Sequence, residues 1–517
     1  MINYNIYKYG RKVLLCSALF FSATACSDFL EERDPSNLTP ESFYTEAKHA
    51  DAAIAAVYAD ARFYGEGAGI FSSNWQLLEA PTGTTTTETA QNSDLNNLYS
   101  LTYDPNTGHI QNWWRGLYKV IANANLVLEN VPKITMDEAA KKKVLGEAHF
   151  FRAWAYFYAV RIWGDVPLIT KPQSATSEDF FPTRTSSEEV YNLIVEDLLT
   201  AEQAGLSWTD PTGRVSQSAV KSQLAIVYLT MAGYPLSKGA SHYTLAAAKA
   251  KEVIDNAGTI KLFDTYMEVH DENRRNTGEH IFSLQYTADV AENPMGNMFP
   301  NFKPTTYRGA SGTGSTIPNV DFYESFEPGD RRAVDQAGWF YTTYYTNGNG
   351  APFSLGAPYI FKHFNYRANG IAGAEPTKKD NLNVPMIRFA EVLLIYAEAQ
   401  NEVGGPTQEA YDALKKIRDR AQLTTPALGT FNQATFRETV WRERWYELCF
   451  EGITWFDMVR LRKVFNHDTK GFDEFVGHVN TNSNQALQEK HLLFPLLRQE
   501  MVNNPNLAPQ NPGYPGV

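Results

Sequence analysis

The stretch that decides the fold of this chain reads Glu147-Ala148-His149-Phe150-Phe151-Arg152-Ala153-Trp154-Ala155-Tyr156-Phe157. It lies inside a segment, Met136 to Trp163, that keeps a helical period until the sequence Gly164-Asp165-Val166-Pro167 ends it. Arg152 is a charged residue in an otherwise apolar helix, and a charge that is buried there must have a partner. The segment therefore predicts a buried helix that an ion pair ties to a neighbouring element.

The same helical period recurs in nine further blocks, which are 43–63, 110–131, 187–204, 216–232, 242–256, 386–403, 407–421, 433–450 and 452–464. Small residues such as Ala225 and Gly233 precede Ala246 and Ala250, as expected where two paired helices touch. This pattern predicts a mainly α fold and loosely matches a tetratricopeptide-like helical repeat, with a generic helical bundle as the alternative.

Charged residues recur within these apolar helices, as Arg152 does in the first. They are Arg388, Glu391, Glu398, Arg442, Glu447, Glu451 and Asp457. We expect them to form ion pairs between helices, because a lone charge in a protein core is strongly unfavourable. This role would be structural and not catalytic.

Two segments lack the helical period. One covers about 260–385 and is rich in glycine and aromatic residues, with turn pairs such as Asn347-Gly348; the other covers 65–108. Both are predicted to be long loops with short strands. Because loops of this length in a compact protein are usually functional, we expect the ligand site there.

The composition excludes several classes of protein. The chain has 517 residues, of which 43% are hydrophobic and 20% charged, so it can build a large core and is not a disordered protein. The net charge of −12 argues against a nucleic-acid partner, which requires a basic surface. Three cysteines exclude a disulfide scaffold and a cysteine-rich metal site.

The N-terminus has the layout of a secretory signal peptide, predicted to cover residues 1–25. Lys8, Arg11 and Lys12 precede the apolar run from Val13 to Phe21, which is too short to span a membrane. Small residues then lead directly into Cys26, as in a bacterial lipoprotein cleavage site. We expect Cys26 to become the first residue and to carry the lipid, with plain secretion as the alternative.

We find no sequence motif for catalysis, a phosphate-binding loop or a calcium loop. Candidate metal ligands are His270-Asp271-Glu272 and Glu279-His280, but such neighbours are expected by chance among ten histidines. Asp321, Glu324 and Glu327 could provide the carboxylate pair of a glycosidase, although solvated surface is the simpler interpretation. The sequence thus predicts a protein that is not an enzyme and has no cofactor and no bound metal.

Aromatic residues are the distinctive part of the composition, with 10 Trp, 28 Tyr and 30 Phe. Sugars bind flat aromatic rings through their C–H faces and polar side chains through their hydroxyls. The residues predicted to bind a ligand are Asn74, Trp75, Tyr307, Arg308, Trp339, Tyr341, Tyr344 and Tyr345. For each one the alternative is a role in the local core. If the prediction holds, Trp75→Ala or Trp339→Ala should weaken glycan binding with little change in melting temperature.

The chain resembles the SusD/RagB family of outer-membrane lipoproteins of Bacteroidetes. The resemblance rests on four motifs in order, namely Cys26–Glu31 with Thr39–Tyr44, Glu147–Phe157 with Trp163–Leu168, Pro385–Ala399, and Arg442–Arg460 with Phe494–Tyr514. It implies one domain over 26–517, in which about four tetratricopeptide-like helix pairs form a frame over about 40–260 and 385–465. An irregular ligand-binding insertion would cover about 260–385, and the C-terminal family motif 490–517.

The resemblance also implies a function and a partner. Such a protein would be anchored to the outer membrane through acylated Cys26, exposed at the cell surface, and would act as the lid of a SusC-like TonB-dependent transporter. Its ligand would be an oligosaccharide or polysaccharide, which it would capture and deliver without catalysis. The alternatives are a peptide ligand, as in RagB-like relatives, a purely structural lid, and a glycoside hydrolase.

Overall fold

The computed structural model describes residues 40–67, 72–88, 92–174, 176–177, 180–298, 314–345, 352–369 and 380–516. The predicted signal peptide and Cys26 lie outside these residues. The chain divides into a unit that ends at Thr45 and a second unit from Glu46 to Val517. In the first unit the described residues form a short helix, Pro40–Phe43, and the turn after it.

Ten helices of eight residues or more lie in the described part of the second unit. They are α1 Ala47–Ala61, α2 Gly108–Asn130, α3 Glu138–Trp163, α4 Ser187–Glu202, α5 Gln217–Ala232, α6 Ala240–Asp255, α7 Phe389–Gly404, α8 Gln408–Arg420, α9 Gln433–Leu448 and α10 Thr454–Leu461. Each corresponds to one of the predicted blocks, so the mainly α fold is confirmed. None of the described helices has the length and apolar character needed to cross a bilayer.

Helix α3 shows why the local sequence forms this structure. The side chain of Asp137 accepts a hydrogen bond from the backbone N–H of Ala140 and caps the first turn. Gly164 ends the helix with a φ of +74°, a conformation that glycine adopts without a steric cost. Almost every residue from Gly146 to Val160 is buried, which agrees with its apolar sequence.

Neighbouring helices in the sequence pack against one another, as α2 does with α3, α3 with α4, and α5 with α6. Helix α6 also packs against α7, although more than 130 residues separate them, and this contact joins the two helical segments of the frame. Small residues permit the close contacts: a Cβ on Gly146 of α3 would lie 2.3 Å from the Cβ of Ala204, just after α4. The division of these helices into tetratricopeptide-like repeats stays a prediction.

The described strands are short and form five antiparallel pairs. They are β1 Thr85–Thr86, β2 His280–Leu284, β3 Ile317–Pro318, β4 Phe340–Tyr345, β5 Pro352–Ile360, β6 Val384–Arg388, β7 Lys463–Phe465, β8 Phe472–Glu474, β9 Val479–Asn480 and β10 Gln485–Ala486. Strand β2 pairs with β6 and closes the base of the irregular segment, while β4 pairs with β5 as a hairpin. Strands β1 and β3 connect the two segments that lack a helical period.

A buried ion network connects the irregular segment to the helical frame. Arg388, at the end of β6, contacts the carboxylates of Glu279 at 2.6 Å, Glu447 at 3.2 Å and Glu451 at 2.6 Å. Lys362, which follows β5, lies 2.7 Å from Glu451. Burial opposes ionisation of Glu451, but the two cations hold the pKa of its carboxyl at about 2.

The network extends through residues that all lie at the junction of the two parts of the fold. Arg420 bridges Glu279 and Glu447 at 2.5 and 2.6 Å. Arg332, from the irregular segment, contacts Asp330 at 2.7 Å and Glu443 of α9 at 2.9 Å. Each of the three arginines therefore bridges at least two carboxylates, while Lys362 pairs with Glu451 and donates to the backbone carbonyls of Glu447 and Cys449. Buried charges require such partners.

A second group of ion pairs joins α7, α9 and α10. Asp457 accepts hydrogen bonds from Arg444 at 2.8 Å and Arg460 at 2.7 Å, and Arg460 also contacts Glu398 at 2.5 Å. Glu391 is 3.9 Å from Arg444, and burial raises the pKa of its carboxyl to about 7.

A third ion pair lies in the N-terminal part of the frame, where Arg152 of α3 forms two hydrogen bonds of 2.8 Å with Asp197 of α4. The predicted structural role of these charges is therefore confirmed at most positions. Arg442 differs, since it is half-buried and has no ion pair with another described residue.

We expect Arg388→Ala to destabilise the protein strongly, because it leaves three buried carboxylates without their common partner. The loss should be about 3–5 kcal/mol, the usual result of removing one member of a buried ion pair. Thermal unfolding followed by circular dichroism measures it. Arg437→Ala is the matched control, since its ion pair with Glu402 is partly exposed and should contribute at most about 1 kcal/mol. Equal shifts in the two variants would contradict a structural role for the network.

Candidate ligand site

Trp339 is a core residue. It is 0% exposed, and its indole N–H donates a hydrogen bond of 3.1 Å to the carbonyl of Tyr446 in α9. The ammonium of Lys362 lies 3.9 Å from the ring centroid, and the ring of Tyr266 packs edge-on at 4.6 Å. The indole therefore covers the buried ion network and offers no face to a ligand, contrary to the prediction.

Tyr341 is also fully buried. Its ring stacks on Tyr359 of β5 at 5.4 Å and packs against Phe361 and Phe364 at 5.7 and 5.5 Å. These rings, with Ile317 and Leu355, form the aromatic cluster that fixes the hairpin β4–β5 to the rest of the protein. Tyr341 thus positions the hairpin but is closed to direct contact with a sugar.

Asn74 and Trp75 lie in the core as well. The Trp75 indole N–H donates to the carbonyl of Phe450 at 3.2 Å, and the Asn74 amide donates to the carbonyl of Phe63 at 2.7 Å. The backbone carbonyl of Asn74 in turn accepts a hydrogen bond of 2.6 Å from the indole N–H of Trp113 in α2. These bonds hold the first irregular segment against the frame, so the prediction of ligand contact is wrong for both residues.

The other four predicted residues remain candidates. Tyr344 and Tyr345 belong to β4, opposite Phe353 and Pro352 of β5. Tyr307 and Arg308 lie outside the described residues.

Another buried group ties the first irregular segment to the frame. Glu79 is 0% exposed, and its carboxylate accepts a hydrogen bond of 2.6 Å from the backbone N–H of Gly452, next to Glu451. Burial raises the pKa of Glu79 to about 8. The sequence offered no signal for this contact, because the two residues are more than 370 positions apart.

A hydrogen bond that the sequence did not predict lies beside the hairpin β4–β5. The Tyr359 hydroxyl donates to the carboxylate of Glu88, which connects β5 to the segment after β1.

Asp271, a candidate metal ligand, is instead paired with Arg367. Burial opposes ionisation of the Asp271 carboxyl, but Arg367 lowers its pKa to about 2. The neighbouring His270 is buried, and burial lowers its pKa to about 3. No group of three candidate metal ligands occurs among the described residues.

The three acidic residues considered for a glycosidase do not form a reactive pair. Glu327 contacts Arg418 at 3.0 Å. Burial opposes ionisation of the Glu327 carboxyl, but this arginine lowers its pKa. Asp321 and Glu324 lie exposed on the short helix Val320–Glu324. The lowered pKa of Glu327 is the opposite of what a general acid needs.

Comparison with known proteins identifies the family. A family model described as the SusD family matches residues 336–514, and a second, described as starch-binding associating with the outer membrane, matches residues 28–229. A SusD superfamily protein from Parabacteroides distasonis, known from a crystal structure, is 34% identical in sequence to this chain. The two structures match with a TM-score of 0.84 over 92% of this chain and 100% of the other chain. The chain belongs to the SusD superfamily.

Two curated relatives extend the comparison. The SusD-like protein P2 of Formosa agariphila is 28% identical over 96% of this chain and 98% of its own length. The starch-binding protein SusD of Bacteroides thetaiotaomicron is 24% identical over 86% of both chains. Relatives with a stated activity are named for binding and not for a reaction, in agreement with the prediction that this SusD-like protein is not an enzyme.

We expect Trp339→Ala to lower the melting temperature strongly, because it creates a cavity beside the ion network and removes a hydrogen bond. The cost should be about 3–5 kcal/mol, as for other buried tryptophans. Phe180→Ala is the control, since Phe180 is 45% exposed and its loss should cost much less. A melting temperature of the Trp339 variant close to that of the wild type would restore the role first predicted for this ring.

Proposed function

We propose that this SusD-like protein binds an oligosaccharide or polysaccharide at the surface of the cell. The family description, starch-binding associating with the outer membrane, supports a carbohydrate ligand at this location. The starch-binding activity named for one relative supports the same class of ligand. The abundance of aromatic residues suits it as well, since sugar rings pack well against flat aromatic rings.

The observation that carries the proposal is the construction of the hairpin β4–β5. Its inner half is fixed by the buried cluster around Tyr341 and Tyr359, and β4 continues beyond this cluster to Tyr344 and Tyr345. A rigid base with aromatic residues beyond it is a suitable support for a sugar-binding surface, because little ordering is then required on binding. We propose Tyr344 and Tyr345 as ligand contacts, with Tyr307 and Arg308 as further candidates.

The charge of the protein favours a neutral glycan at this surface. The net charge is −12, and removal of the signal peptide with its three basic residues would leave −15. A polymer with many acidic groups would meet overall repulsion, although salt screens this beyond about 8 Å. This screened repulsion should reduce the affinity for polyanions without preventing contacts between individual charged groups.

We further propose that acylation of Cys26 anchors the protein in the outer membrane, where it delivers the glycan to a SusC-like TonB-dependent transporter and acts as its lid. Small residues leading directly into Cys26 support the lipid anchor. The superfamily to which the chain belongs supports the outer-membrane location. Because the proposed protein binds the glycan without cleaving it, a transporter is needed to take up the glycan.

We expect the variant Tyr344→Ala/Tyr345→Ala to lose most of its affinity for the preferred glycan. Loss of two stacking contacts, each contributing about 0.5–1.5 kcal/mol, should weaken binding about tenfold. Affinity electrophoresis and calorimetry with a panel of plant, fungal, bacterial and host glycans first identify the ligand and then measure the change.

The double variant Phe180→Ala/Phe181→Ala is the control, because these two rings are exposed but lie in the segment between α3 and α4. It should retain wild-type affinity. Normal binding by the Tyr344/Tyr345 variant would contradict this position of the site. Co-purified peptides detected by mass spectrometry, or release of sugar products from a glycan, would favour the peptide-binding or glycosidase alternatives.

The proposed anchor and partner predict that the full-length protein, expressed in its native host, co-purifies with a TonB-dependent barrel from outer membranes. Cys26→Ala should abolish labelling by a fatty-acid analogue and move the protein from the membrane to the soluble fraction. Retention of this variant in the membrane, or isolation of the wild type without any barrel, would contradict the respective part of the proposal.

A further inference from the structure

A cavity of about 460 Å³ lies where the C-terminal ends of α3 and α10 meet the C-terminal segment. The first turns of α4 and the residues after α5 complete its wall. Its volume is within the range of about 300–1,000 Å³ that is usual for small-molecule sites. None of the eight residues first predicted to bind a ligand lines it.

Much of the cavity wall is apolar. Its apolar lining residues include Val160 of α3, Phe456 and Val459 of α10, and Leu492. Tyr234, which follows α5, lines the cavity and is 49% exposed. An apolar wall with a half-exposed aromatic ring is suited to the C–H face of a ring-shaped ligand.

The charge of the cavity is opposite to that of the whole protein. Five basic residues line it, against two acidic ones, Asp165 and Glu489; the basic residues are Arg161, Arg184, Arg460, Arg462 and Lys490. Within the described part of the chain, only Arg460 of the five forms an ion pair with a carboxylate. The net charge of the protein is −12, so this local excess of positive charge is not a consequence of composition.

Arg161 is held in place without an acidic partner. Its guanidinium lies 3.6 Å from the ring centroid of Phe157 and 3.7 Å from that of Phe456, between the two rings. Its Nε donates a hydrogen bond of 2.9 Å to the carbonyl of Phe157. Burial lowers the pKa of Arg161, and the nearby Tyr158, Tyr191 and Glu391 offset this shift only in part.

Arg462 is placed in a similar way at the end of α10. Its backbone has a φ of +57°, and its guanidinium lies 5.0 Å from the ring centroid of Tyr234. Its Nη1 is buried without a hydrogen-bond partner, and burial lowers the pKa of the side chain. Neither arginine has a described carboxylate within ion-pair distance, and Glu391 and Glu489 offset the burial of Arg161 and Arg462 only in part. A bound anion would therefore stabilise both cations.

We propose that this cavity is a second binding site, for a sugar residue that carries a carboxylate. Arg161 and Arg462 bind the carboxylate, for which the guanidinium has a matching planar geometry. Tyr234 packs against the sugar ring. The size of the cavity restricts the ligand to one or two sugar units, in contrast to the longer neutral glycan proposed for the hairpin.

The test compares sugars that differ only in the carboxylate. We expect glucuronate to bind at least about tenfold more tightly than glucose, and galacturonate more tightly than galactose, since a charge-assisted hydrogen bond accounts for a factor of this size. Calorimetry and saturation-transfer NMR with the folded protein measure these affinities. Because the attraction is electrostatic, raising the ionic strength from about 0.05 to about 0.5 M should weaken binding of the acids but not of the neutral sugars.

Two variants examine the arginines separately. Arg161→Gln and Arg462→Gln should each reduce the affinity for glucuronate about tenfold. Arg462 is only half-buried, so its replacement should leave the fold intact even if that of Arg161 does not. Arg115→Gln is the control, because Arg115 lies exposed on α2 outside the cavity. It should bind as the wild type does.

The variant Tyr344→Ala/Tyr345→Ala should also bind glucuronate normally, which separates this site from the hairpin. Equal affinities for acidic and neutral sugars, wild-type affinity in Arg462→Gln, or no binding of either acid would overturn the proposal. These outcomes are independent of whether a neutral glycan binds at the hairpin.

Discussion

The rest of the structure depends on one constraint, that charges buried at the junction of the helical frame and the irregular segment must be paired. Arg388 pairs with three carboxylates, which come from the residue before β2, from α9 and from the turn after α9. Since an unpaired charge at such a position costs several kcal/mol, the elements that carry the partners are held in one relative arrangement. The network therefore links strands and loops that few local interactions would hold in place.

The same constraint explains how the aromatic residues are used. The indole of Trp339 lies over Lys362 and near Arg388, and the ring of Tyr266 lies 4.6 Å from the Arg420 guanidinium. Rings at these positions keep water from the ions and contribute cation–π attraction. Trp339 is consequently part of the core, although it lies in a segment that is rich in loops.

The surface chemistry is divided between two regions with different properties. At the hairpin, a fixed aromatic base precedes tyrosines that are the candidates for a glycan. In the cavity beside α3 and α10, unpaired arginines and a half-exposed tyrosine favour a small acidic sugar. A protein with both could hold a polymer at one place and a charged terminal or side-chain unit at another.

The sequence by itself determined the helices, the family and the kind of interaction between helices. Helical periodicity and end signals are local, so α3 and the other nine long helices lie within a few residues of their predicted positions. Arg152 and Arg388 could be recognised as members of ion pairs because a charge in an apolar helix permits little else. Only the tertiary structure decided which carboxylates they meet, and that Trp75, Trp339 and Tyr341 are buried. Burial of a loop residue depends on elements far away in the chain, such as Phe450 for Trp75 and Tyr446 for Trp339, and no local pattern records such contacts.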